Sequence, residues 1–143
     1  MEFGFNARLI ILIIASVAAL ALGAMASVLS ATALPMFFPA DSYITVISVI
    51  IFTFGFLFFG YPAPFILFLA GLFIGNYAKT AGADMFAIMS SIAFIMASYS
   101  SIRLGDALLD DMIGKGNFKQ ALKISIIMII LSLVISAGVD LGR

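Results

Sequence analysis

The sequence of 143 residues contains no cysteine, no histidine and no tryptophan. Without cysteine there are no disulfides and no thiolate ligands for zinc or iron-sulfur clusters; without histidine there is no imidazole to bind a metal or shuttle a proton near neutral pH. Charge is scarce as well. Seven basic and seven acidic residues make up 10% of the chain, where a soluble domain carries about a quarter. Because the two signs cancel, no net charge is available to recruit nucleic acid or draw the chain onto anionic lipid, so charge can act only locally. Prolines number four and fall in two pairs, Pro35 with Pro39 and Pro62 with Pro64. The rest of the chain is free of the strongest helix breaker.

What fills the chain is apolar. Hydrophobic residues account for 64% of it and the mean hydropathy is +1.27, which places it in lipid. From Tyr43 to Ala78 there is no charged residue. As one helix that run would be about 54 Å long, against a hydrocarbon core of roughly 30 Å, so a single span cannot use it. The break falls at "GYPAP" (60–64), a tight turn in which Pro64 occupies the first turn of a new helix, where its missing N–H would have no partner anyway.

These signals predict an all-α polytopic membrane protein, a single integral membrane domain of about five transmembrane helices in one compact bundle. The spans are about 9–33, 43–59, 64–78, 84–102 and 123–139. The first ends at Leu34-Pro35; a rival reading makes it a secretory signal, with Arg8 as the basic flank and Ala24 and Ala26 at cleavage positions, although the run is long for one. Asp41 or Ser42 can cap the second. The third, about fifteen residues or 23 Å, either crosses fully or belongs to a re-entrant hairpin. After the fourth, "RLGDALLDDM" (103–112) keeps apolar residues at helical spacing and predicts a cytoplasmic amphipathic extension that breaks at Gly114-Lys115-Gly116. Asn117 and Gln120 have capping-box spacing for the restart.

With five crossings, Arg8 shares a side with Arg103, Lys115, Lys119 and Lys123, opposed by Lys79 and Arg143. The positive-inside rule then puts the amino terminus in the cytoplasm of a cell membrane. Tyr43, Tyr61, Tyr77 and Tyr99 all fall near span ends, where a phenol reaches the interface.

No ionisable residue falls in mid-span, which argues against a proton-driven pump, since such residues are costly and kept for function. Serines such as Ser90, Ser91 and Ser98 have no base near them in sequence, so no catalytic, cofactor or metal residue is assigned. Asp106, Asp110 and Asp111 read as a solvated helix face rather than a cation site. Small residues are more informative. Ala15, Ala19, Gly23, Ser27 and Ala31 repeat every four residues; Gly71 and Gly75 form a GxxxG; Ser90, Ala93, Ala97 and Ser101 make a third line. Such stripes let helices approach closely, either inside one bundle or between subunits.

The hairpin and the last two spans, residues about 50–139, resemble the stage II sporulation protein M family. The similarity is in "FGFLFFGYPAPFILFLAGLFIG" and in "SSIRLGDALL", where Arg103, Leu104 and Gly105 match a Gly-Leu-Arg-Leu-Gly type motif. The chain reads "TAGADMFAIMS" where that family often has a Pro-His-Gly motif and a following Glu, and the long loop after the first span is nearly absent. The resemblance implies a non-enzymatic membrane component that helps assemble or anchor envelope-remodelling machinery. The residues themselves lead to a related expectation: a scaffold, anchor or accessory subunit that contacts the lipid bilayer and other membrane subunits or itself, but no nucleic acid. Its partner loop would be 103–120, with Arg103, Asp106, Asp110, Asp111, Lys115 and Lys119. The alternative is a small oligomeric channel for a neutral or weakly selected solute, lined by Ser16, Thr45, Ser48, Thr53 and Asn76.

Overall fold

The computed structural model describes residues 7–29, 43–58, 60–81, 84–112 and 118–141. They form five helices, α1 (Ala7–Leu29), α2 (Ile44–Leu57), α3 (Ala63–Ala81), α4 (Asp84–Met112) and α5 (Phe118–Leu141), and among the described residues there is no strand. Three stretches, Leu9–Leu29, Ala87–Leu109 and Lys119–Leu141, are long and apolar enough to cross a bilayer. The protein is a helical membrane protein. In hydrocarbon the helix satisfies every backbone group within one segment, which is why such sequences fold this way. The apolar stretches Ile44–Leu57 and Ala63–Asn76 are shorter; the 14 residues of α2 span about 21 Å.

Contacts fix the direction of each helix. Leu9, Ala63 and Ile102 share a small core, so the start of α1, the 60–64 turn and the far part of α4 lie at one end of the bundle. At the other end the last turn of α5 meets the first turn of α2, where Asp140 accepts bonds from Ile44 and Thr45. Successive helices therefore alternate in direction. The main core is built from Leu20, Ile47, Ile51, Leu67, Phe73 and Phe94. α4 packs on all four other helices; α1 packs on α3 and α4, α5 on α4 and α2, and among the described residues the backbones of α1 and α5 do not pack on each other.

The 60–64 turn is a tight one. The Gly60 amide donates to the Gly55 carbonyl at 2.6 Å, Tyr61 donates to Phe58 and Ala63 to Gly60, both at 3.2 Å. Gly60 has φ of 89°, a left-handed conformation that a Cβ penalises. A Cβ there would also stand 3.0 Å from the Ile102 Cα, so the turn is pressed against α4.

The outward faces are apolar: Ile11, Ile14 and Leu22 on α1, Val46 and Phe54 on α2, Ile127 and Val134 on α5 are all exposed. In water such contiguous surface would be anomalous; against acyl chains it is the ordinary condition. Several expectations fall on residues outside those described, and the cap of α2 comes from elsewhere in the chain. α1 is helical to Leu29, and Asp41 and Ser42 lie outside the described residues. The N-terminus of α2 is capped from 96 positions away by Asp140, whose carboxylate accepts from the amides of Ile44 (2.7 Å) and Thr45 (3.0 Å) and from the Thr45 hydroxyl (2.7 Å). α4 is one helix of 29 residues; positions 113–117, with the expected break and the Asn117 cap, lie outside the described residues.

Candidate functional site

The small residues of α1 and α3 are used against each other. A Cβ on Gly23 would overlap the Phe68 carbonyl oxygen, one on Gly71 the Leu20 carbonyl oxygen, and one on Gly75 the Ala24 carbonyl oxygen. The two helices run parallel here with backbone touching backbone, and the Ser27 hydroxyl closes the contact by donating to the Leu72 carbonyl at 2.7 Å. Ala15 and Ala19 are only half-buried, and Leu9, Leu12, Ser16, Leu20, Gly23 and Ser27 form the buried stripe of α1. A repeat of four drifts about 40° per step on a helix of 3.6 residues per turn, so an every-fourth line leaves the contact face within two steps. On α4, Ala93, Ala97 and Ser101 are fully buried and Ser90 nearly so.

Serine hydroxyls bind α5 to the bundle. Ser100 donates to the Ser125 carbonyl at 2.7 Å, Ser125 donates back to the Ser100 carbonyl at 3.1 Å, and Ser132 donates to the Ala93 carbonyl at 2.7 Å. From Ser100 back to Ala93 and from Ser125 forward to Ser132 is seven residues each way, the register of an antiparallel pair. Ser48 and Ser136 share a bond of 2.8 Å between α2 and α5. The signal was present in α5, where Ser125, Ser132 and Ser136 recur at spacings of seven and four on one face of an otherwise apolar helix. Reading serines only as nucleophiles or pore lining passes over it.

The polar side chains expected to line a pore in the channel reading are distributed differently. Thr45 bonds to Asp140, Ser48 to Ser136 and Ser16 to the carbonyl of Leu12 on its own helix. Thr53 is exposed on the outer face of α2 and Asn76 is half-buried on α3. Of the charged segment, Arg103 is half-buried and Asp106 only 4% exposed, so these two belong to the packed part of α4. Lys119 is exposed in the first turn of α5; Lys115 and the side chains of Asp110 and Asp111 lie outside the described residues.

A cavity of about 160 Å³ is lined from α1 by Ser16 and Val17, from α3 by Leu67, from α5 by Met128 and from α4 by residues that include Ser98 and Tyr99. The Ser98 hydroxyl is buried without a hydrogen-bond partner, an uncommon state that costs about 1–3 kcal/mol for a desolvated polar group. Tyr99 Oη accepts from Arg103 Nη1 at 3.1 Å, so this phenol serves an internal contact, while Tyr43 and Tyr61 are exposed at helix ends. Compared with protein families, with curated proteins and with solved structures, the chain matches none.

Proposed function

We propose that this protein is a non-enzymatic, five-span scaffold, anchor or accessory subunit of a membrane complex, set in the cell membrane with its amino terminus in the cytoplasm. The observation that carries the reading is where its polar groups go. Ser27, Ser100, Ser125 and Ser132 each donate to a carbonyl of a neighbouring helix, and Asp140 caps a helix distant in sequence. Interhelical hydroxyl bonds and close glycine contacts fix helix against helix where lipid supplies no hydrophobic drive for association. A fixed bundle suits a part that holds other parts in place.

The reading puts a partner on surfaces that the bundle does not use for its own packing. Gly23, Gly71, Gly75, Ala93 and Ala97 are buried within the chain, so a partner would meet the lipid-facing aliphatic surfaces or the end that carries Lys119, Gln120 and Lys123, all exposed or half-exposed around the start of α5. Those lysines share an end with Arg103 and the first turn of α1, which holds Arg8, and this charge asymmetry supports a cytoplasmic amino terminus. The alternating helix directions support five crossings, with α2 and α3 as a short pair that tilts or thins the bilayer locally. The resemblance of residues about 50–139 to the stage II sporulation protein M family adds to the scaffold reading.

The deciding experiment is native mass spectrometry of the mildly solubilised complex from the source membrane, with every chain identified. Unrelated subunits at fixed stoichiometry are expected. A monomer or homo-oligomer alone would overturn the reading and favour a small channel formed between copies.

A further inference from the structure

The cavity lies where two helices fail to meet. Among the described residues α1 and α5 flank α4 without their backbones packing on each other, and the space between them, floored by α4 and α3, is the pocket lined by Val17, Leu67, Ser98 and Met128. Its volume of about 160 Å³ is close to that of an engineered cavity of ~150 Å³ that stays dry and takes up benzene, so it holds roughly six carbons. Val17 lines the pocket and is also exposed on the lipid-facing side, as is its neighbour Ile14. The pocket therefore opens sideways into the hydrocarbon.

Its lining is graded along α4. Beyond Ile95 come Ser98, 2% exposed and with an unpartnered hydroxyl, then Tyr99, whose hydroxyl meets the Arg103 guanidinium. From Ser98 to Arg103 the helix rises about 7.5 Å. An apolar slot, then one lone hydroxyl, then the Arg103 guanidinium follows a phospholipid from chain through linkage to headgroup, with positive charge at the phosphate end.

We propose that this cavity is an intramembrane binding site for one anionic phospholipid. Its acyl chain enters the slot between α1 and α5, Ser98 Oγ donates to the linkage oxygen between chain and headgroup, and Arg103 supplies positive charge at the level of the phosphate. Met96 and Met128 in the lining give the slot flexible walls that adapt to a chain. The inference rests on the membrane embedding of the bundle and not on its scaffold role. A chain that stayed soluble without detergent would refute the embedding, whereas failure of the lipid site alone leaves it standing.

The test is native mass spectrometry of the full chain in mild detergent, titrated with phosphatidylglycerol or with phosphatidylcholine of the same chains. One retained lipid is expected, with phosphatidylglycerol favoured about fivefold, the preference one basic side chain near the headgroup confers on an anionic lipid. Val17→Trp, which caps the mouth from an exposed position, is expected to remove the retained lipid while helicity is unchanged. Ser98→Ala should weaken retention about fivefold, the worth of one hydrogen bond, without lowering the unfolding temperature. Arg103→Gln should reduce the headgroup preference, and the wild-type competition decides that point if this variant does not fold. A broad distribution of lipid adducts untouched by Val17→Trp and Ser98→Ala would overturn the site. Equal retention of the two lipids by the wild type would overturn its anionic specificity.

Discussion

Replacing Gly23 with alanine adds one methyl group, and the structure dictates where it goes. The new Cβ would overlap the Phe68 carbonyl oxygen and stand 3.0 Å from the Leu72 nitrogen and 3.1 Å from the Gly71 Cα. All three are backbone atoms, so no side chain can rotate away and α1 must move off α3. A separation approaching 1 Å forfeits a quarter to a half of the dispersion energy of each contact it opens, and overpacking of this kind costs about 1–3 kcal/mol. The same shift stretches the Ser27–Leu72 hydrogen bond one turn along, an interaction of ~0.6 kcal/mol between membrane helices. Against this, alanine gains about 1 kcal/mol of helix propensity over glycine. The net expectation is a loss of about 1–2 kcal/mol. Gly138 supplies the internal control, because it is exposed on α5 with nothing within 4 Å of a built Cβ. Gly138→Ala should therefore stabilise by up to about 1 kcal/mol. Reversible unfolding in mixed micelles measures both. Because Gly71 faces Gly23 in the same contact, one separation relieves both clashes, and the double alanine variant should cost less than the sum of the single ones. Gly23→Leu, larger still, should disrupt α1–α3 docking altogether. If Gly23→Ala stabilised the protein as Gly138→Ala does, the close α1–α3 contact would be wrong.

Asp140→Ala removes three bonds at the start of α2 and should cost about 1–2 kcal/mol, as loss of an N-cap does; faster hydrogen exchange at the Ile44 and Thr45 amides is the specific readout, and unchanged exchange would count against the cap. Gly60→Ala forces a Cβ into a left-handed conformation against Ile102 and should destabilise by at least about 1 kcal/mol, with no loss if the turn were open. Ser132→Ala should cost only ~0.6 kcal/mol, because the Ala93 carbonyl it leaves still lies inside a helix; a loss of several kcal/mol would mean that Ser132 has a larger role than this bond. Since the chain has no cysteine, Lys119→Cys and Leu141→Cys can each be probed with an impermeant thiol reagent. Labelling of position 119 from the cytoplasmic side and of position 141 from the opposite side is expected; the reverse pattern would refute the orientation, and labelling from one side alone would refute the crossing of α5.

The amino-acid sequence by itself determined that this is a helical membrane protein, because composition and run length follow directly from the thickness and dryness of the bilayer. It also located the 60–64 turn, since proline and glycine act on their own backbone, and the start of α4 at Asp84. Only the tertiary structure decided which surfaces meet. Gly23 opposes Gly71, Asp140 caps a helix 96 positions upstream, and Arg103 with Asp106 sits within the packed part of α4. Periodicity specifies a helix face but not its neighbour, and the every-fourth line through Ala15 and Ala19 drifted off the face that packs. The orphan hydroxyl of Ser98 and the cavity beside it arise from the gap between α1 and α5, a relation among three helices that no single segment encodes.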